Sequence, residues 1–303
     1  MSGHNQLLPF RLQDSTIRGR MVKMGKVLDD ILGKHAYPPP VAQLLAETIV
    51  VASALAFALK YEGKFTLQSK GDGPVSLLLA DVTSEGYLRA YARFDEQAVR
   101  TADQQATIGL LGKGYLSFTV DQSHALEGAE QYQGIVDLRG SSVAAAAQYY
   151  FKQSEQIPTG IMACAACNDA GQWHGAALMV QRLPEEERAA NENSFDEDWN
   201  RVMVLMATCT PHEMLDPALA ADEMLFRLFH EEDLAIDAPR ALQFRCTCGE
   251  RIPETLRRFT RDELEDMAEN DLVTITCQFC NARYDYDRAA RDNLFRTSPA
   301  QVF

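Results

Sequence analysis

Near the C-terminus, Cys246-Thr247-Cys248 and Cys277-Gln278-Phe279-Cys280 form two close pairs of thiols. Two such pairs, brought together by the chain between them, can present four thiolate sulfurs to one tetrahedral Zn2+ ion. The intervening residues 249–276 have the length of one small supersecondary unit. Thr260 and Glu263 make a capping-box pattern that predicts a helix start, and Val273 to Thr276 alternate as a β-branched strand leading into the second pair. Gly249 and Asn281, each directly after a pair, are residue types that accept a left-handed backbone, which a metal knuckle is expected to need. The same four cysteines are compatible with two structural disulfides or with four buried free thiols. Met1 to Gln13 carries no basic segment followed by a sustained apolar run, so no signal peptide is predicted there. A reducing cytoplasm, with no membrane association, is therefore the expected home, and zinc the expected occupant.

Other reactive residues form weaker patterns. Cys164-Ala-Ala-Cys167 reads as a redox pair or half of a second metal site. It falls at the end of a predicted strand, where residues three apart face opposite sides, so its sulfurs converge only if a bulge intervenes. Cys209 and His212 have metal-binding spacing but lack a second pair, and a thiol beside a helix end is usually packing. No His-Glu-x-x-His helix and no Gly-x-Ser-x-Gly elbow occurs. Gly109 to Gly114 lacks the Gly-x-x-x-x-Gly-Lys-Ser/Thr pattern of a phosphate loop, so ATP use is not expected. No catalytic residue is nominated, and the chain is not expected to be an enzyme. The formal charge of −14 argues against nucleic acid as a partner, since phosphate binding draws on clustered Lys and Arg. Cys246 to Asp287 itself holds five Arg against ten Asp and Glu. A zinc-stabilised nucleic-acid-binding protein and a thiol oxidoreductase acting through Cys164 and Cys167 are the alternative readings.

The elements that must carry these residues suggest an α+β fold. Residues 1–184 form an N-terminal mixed helix and sheet domain. In it, Val27, Leu28, Ile31 and Leu32 keep helical spacing, and Val41 to Leu59 follows as a long apolar helix opened by Pro38-Pro39-Pro40. That helix is long enough to suggest a membrane span, but Gln43, Glu47 and many alanines favour a buried core helix. Strands are predicted over Phe65–Ser69, Val75–Val82, Tyr87–Phe94, Tyr115–Val120 and Gly134–Leu138. Ser141 or Ser142 should cap a helix through the alanine run, and Thr159–Cys167 with Gln172–Gln181 should form a hairpin around Asn168 to Gly171. Residues 185–240 read as a helical linker. It opens on seven acids and one base between Glu185 and Asp198, has one helix facing inward through Trp199, Val202, Met203 and Met206, and a second opening at Asp216-Pro217. Met203, Met206, Met214 and Met224 in this stretch suit a surface that repacks against varied partners, although ordinary core-facing positions explain them more simply. Residues 241–287 read as a zinc-binding domain and 288–303 as a C-terminal tail.

Taken with the cysteine pattern, Tyr132 to Gly140 (YQGIVDLRG), Ser154 to Thr159 (SEQIPT) and Phe65 to Pro74 (FTLQSKGDGP) make the chain resemble the redox-regulated heat shock protein 33 chaperone family over nearly its whole length. The resemblance implies an ATP-independent holdase of the bacterial cytoplasm that binds unfolding client proteins. It is inactive when reduced and zinc-loaded, and is activated by oxidants together with unfolding stress. By position, Cys246, Cys248, Cys277 and Cys280 would be the ligands of one Zn2+, forming disulfides Cys246–Cys248 and Cys277–Cys280 on oxidation. The linker would then lose structure and the active form would be a homodimer. Cys164, Cys167 and Cys209 stand outside that switch.

Overall fold

The computed structural model describes residues 5–12, 16–58, 61–102, 107–122, 132–183 and 192–295. The Pro184 boundary, the first part of the acidic stretch and the last residues of the expected tail lie outside them. The protein is α+β and divides into two compact units, 1–244 and 245–303.

The first unit is built on two six-stranded sheets. One runs, in spatial order, Leu234–Ile236, Gln6–Leu12, Ile17–Met24, Trp173–Arg182, Thr159–Cys167, with Arg240–Ala241 also paired to Gln6–Leu12. The other runs Gln243–Phe244, Tyr87–Phe94, Val75–Thr83, Lys64–Gly71, Gly114–Asp121, Tyr132–Asp137. The helix Pro39–Ala56 packs against strands of both sheets. Buried residues run all round it from Val41 to Ala56, which is why its sequence is apolar on every face. The two polar residues noted in it are accounted for. The Gln43 amide donates to the Ala165 carbonyl, and the Glu47 carboxyl accepts the Val143 N–H at 3.1 Å, where the alanine-run helix begins. Burial raises the pKa of Glu47, against the backbone N–H groups of Ala144 and Val143 that favour its charged form. Ser142 caps that second helix by accepting the Ala145 N–H.

The first sheet is buried on both faces. Leu7, Val22, Met24, Ala177 and Met179 face the core around the Pro39–Ala56 helix. Their neighbours Leu8, Phe10, Met21, Leu178 and Val180 face a second core. Three helices, Glu192–Thr208, Pro211–Leu215 and Ala221–Phe229, cover that second face with Val202, Met206, Met214, Met224, Leu225 and Phe229. The methionines of this stretch are thus core-facing, with Met203 partly buried beside them. A cation sits under this cover: Lys23 is only 3% exposed, and its ammonium donates to the carbonyls of Asp216 at 2.8 Å and Leu219 at 2.6 Å.

Two expectations change here. The last of the three helices starts at Ala221, not at Asp216-Pro217; Asp216 instead accepts the Ala218 N–H and makes a turn, as Asx residues before proline do. Capping by Thr210 and Glu213 starts a separate short helix at Pro211. Residues 234–244, within and just past the stretch read as linker, carry short strands. They extend the first sheet and then, at Gln243–Phe244, pair in parallel with Tyr87–Phe94 of the second.

The second unit has helices Cys248–Leu256, Arg261–Asp266 and Arg288–Leu294 and a hairpin of Val273–Thr276 with Arg283–Tyr286. Thr260 and Glu263 form the expected capping box. Residues 288–294, placed in a tail from sequence, are a helix capped by Asp287, and Leu294 joins Leu256 and Leu264 in a buried apolar cluster. Arg291, 4% exposed, ties this helix to Asp271 through its carbonyl and carboxylate, both at 2.8 Å.

Candidate metal centre

Both cysteine pairs are delivered by chain reversals of different construction. Cys248 is the first residue of the Cys248–Leu256 helix, Thr247 is its N-cap, and Cys246 precedes the cap. A helix start favours negative charge on a sulfur. Cys277 follows the strand Val273–Thr276 and begins a tight turn, in which the Asn281 N–H donates to the Cys277 carbonyl and the Cys277 N–H donates to the Ala282 carbonyl, both at 2.9 Å. Asn281 takes the expected left-handed backbone at φ 57°. Gly249 does not; it lies in the helix, so its lack of a side chain serves space rather than backbone freedom.

The four sulfurs lie within 4.8 Å of one another. Cys246 and Cys277 sulfurs are 3.7 Å apart, and those of Cys248 and Cys280 are 3.3 Å apart. A zinc tetrahedron with bonds of about 2.3 Å has sulfur–sulfur edges of about 3.8 Å, whereas a disulfide is about 2.05 Å. The spacing fits four separate sulfurs around a cation. Cys248 and Cys277 are buried, and Cys246 and Cys280 half-buried.

The electrostatics of the thiols point the same way. Burial opposes ionisation of Cys248, but hydrogen bonds from the Tyr284 hydroxyl, 3.2 Å away, and from the neighbouring thiols outweigh it and bring its pKa down to about 7. Burial pushes Cys280 up to about 12 and also raises Cys246. Sulfurs this close cannot all carry charge alone, so one ionises at the expense of the rest. A divalent cation would let all four be thiolates.

The model of the Hsp33 protein family matches residues 5–287. The chain belongs to the Hsp33 family. It is 38% identical over 290 residues to the 33 kDa chaperonin of Ectopseudomonas mendocina, covering 94% of this chain and 93% of that one. It is 32% identical over 287 residues to that of Caulobacter vibrioides, covering 92% and 93%. A crystal structure of the 33 kDa chaperonin of Thermotoga maritima, a heat shock protein 33 homolog, has the same fold, with TM-score 0.79 over 97% of this chain and 98% of that one at 21% identity.

The remaining cysteines of this Hsp33 chain stand apart from the cluster. Cys164 faces the covering helices, its sulfur 3.8 Å from that of Met214, while Cys167 is exposed at the far end of the strand, so the two do not converge. Cys209 is buried in the core under the helices, and His212 is exposed. Burial raises Cys164 to about 12 and Cys209 to about 11. Among the described residues, the four-cysteine cluster is the one group arranged to hold a metal. Sequence reasoning missed Tyr284 and Lys23. Nothing local marks either one, since each acts on a distant segment.

Proposed function

We propose that this protein is a redox-regulated, ATP-independent holdase chaperone, which binds unfolding proteins and prevents their aggregation under oxidative stress. Cys246, Cys248, Cys277 and Cys280 would hold one Zn2+ in the resting, reduced state. One observation carries the reading: the four sulfurs gather in a unit whose buried apolar cluster is Leu256, Leu264 and Leu294. A core that small stabilises little by itself. Structural zinc contributes about 10–16 kcal/mol of apparent binding free energy, against about 5–15 kcal/mol for a whole domain. The small unit therefore folds with its metal and is lost without it.

Bound zinc would keep the sulfurs deprotonated and so open to oxidants. For each pair, two thiolates, two protons and one hydrogen peroxide give one disulfide and two waters. The resemblance to the heat shock protein 33 family supports the pairings Cys246–Cys248 and Cys277–Cys280. A disulfide across one intervening residue closes a small, strained ring and is readily reduced again, which makes the switch reversible.

The client-binding surface is, in this reading, the sheet face under the helices 192–229. Its Leu8, Phe10, Met21 and Leu178 would form an apolar platform once uncovered. The short strands at 240–244 end at Phe244, two residues before Cys246, so melting of the small unit loosens the segment that ties these helices to the sheets. The oxidised, active form would be a homodimer, and the compartment the cytoplasm. The relatives' name, 33 kDa chaperonin, supports the chaperone role.

The test is light scattering of a heat-unfolding client without ATP. Suppression by peroxide-treated protein and not by reduced, zinc-loaded protein is expected. Equal suppression by both would reduce the zinc to a structural staple and contradict the switch.

A further inference from the structure

Cys246 lies beside another sulfur, that of Cys277, at 3.7 Å. Cys248 is different. Its sulfur lies 3.2 Å from the Tyr284 hydroxyl, a donor from the opposite half of the site. Tyr284 is set in the strand Arg283–Tyr286, paired with Ile275, so the hairpin that carries the second cysteine pair reaches across to the first.

A second observation concerns Gly249. It lies inside the Cys248–Leu256 helix, where alanine would be the more favourable residue. A Cβ at Gly249 would sit 3.3 Å from the Tyr284 hydroxyl oxygen and 3.8 Å from its ring, tighter than ordinary packing at the oxygen. The glycine leaves room for the phenol to approach the sulfur.

We propose that Tyr284 is a positioning residue that restrains oxidation of the cysteine site, its hydroxyl donating a hydrogen bond to the Cys248 thiolate in the gap left by Gly249. This rests on the zinc-thiolate switch reading. In the first oxidation step a sulfur lone pair attacks one peroxide oxygen. The S–O bond forms, the O–O bond breaks, and hydroxide leaves and takes a proton to become water. A second thiolate then attacks the sulfenic sulfur, the S–S bond forms, and the sulfenic oxygen leaves as hydroxide and is protonated to water. A hydrogen bond to the thiolate holds the same lone-pair density that must attack, and nucleophilicity falls as the anion is stabilised. The phenol is not consumed; it lowers the reactivity of Cys248 in whichever of these steps that sulfur takes part.

Zinc-loaded wild type, Tyr284→Phe and Gly249→Ala are compared in two readouts: peroxide-driven metal release followed with a zinc indicator, and the sulfur-to-metal charge-transfer band of the Co2+-substituted proteins. Tyr284→Phe is expected to release zinc several-fold faster, with its band moved to lower energy. Gly249→Ala is expected to move both readouts the same way, although alanine favours the helix, which separates this role from destabilisation. Wild-type rates and bands in both variants would overturn the proposal. So would faster release from Tyr284→Phe alone with an unmoved band, since that marks a structural role. If peroxide releases zinc from none of the three proteins, the switch reading fails, and the band shift still decides whether Tyr284 bonds the sulfur.

Discussion

Seven cysteines share this chain, and their surroundings give them different chemistry. Cys164 and Cys209 are held protonated by burial, with pKa values raised from 9.0 to about 12 and about 11, while Cys167 is exposed. At pH 8, iodoacetamide should therefore label Cys167 well before Cys164 and Cys209, read by peptide mass spectrometry; equal rates would contradict the packing described. The same shifts carry a stability consequence. Thiols whose folded pKa is raised stabilise the covered state fully below pH 9 and lose that contribution as pH climbs toward 11–12, because the uncovered thiols ionise first. Trp199, packed against the same core, reports this, and its fluorescence should show the helices loosening above pH 9, with the loss blunted in Cys209→Val. At this scale much was legible beforehand. The four cluster cysteines, the Thr260–Glu263 cap and the left-handed Asn281 follow from residue type and spacing. Gly249 did not, because its role is to leave room for a side chain 35 positions away in the sequence.

At the scale of elements, the helices 192–229 decide whether the first sheet shows its apolar outer face. Phe229 is fully buried and stacks on Phe10 with ring centroids 5.5 Å apart. Phe229→Ala should cost about 3–5 kcal/mol of the docking free energy and yield a protein that suppresses client aggregation while still reduced and zinc-loaded. A reduced variant as inactive as wild type would show that this face is not the one clients use. Lys23→Met leaves two buried carbonyls without their charged donor, a loss of about 1.5–3 kcal/mol per hydrogen bond, and should raise amide exchange in 210–221 ahead of the sheet. The strands of residues 64–94 and 159–182 could be read from alternation and turn residues. Those of 234–244 could not, because two- and three-residue strands have no period and exist through their partners in the two sheets. The helix at 288–294 left a usable trace in Asp287, which accepts the Ala290 N–H as an N-cap.

Across the whole molecule, two units of unequal self-sufficiency share one chain. Residues 1–244 enclose an extensive core around the Pro39–Ala56 helix, whereas the described residues of the second unit bury Leu256, Leu264, Val273 and Leu294 beside four sulfurs. Chelation of the metal under reducing conditions should melt the small unit and loosen the helices 192–229 with it, seen as loss of one thermal transition while that of the two sheets persists; a single shared transition would contradict this division. The central claim is that thiol chemistry in the small unit governs the cover on the sheet in the large one. Hydrogen exchange mass spectrometry, before and after peroxide treatment at mild heat with zinc release measured on the same sample, tests it most directly. The account predicts that 245–295 and 192–229 lose protection together as zinc is released, while Pro39–Ala56 stays protected. Loss confined to 245–295, with 192–229 still protected in a fully oxidised and active protein, would contradict it.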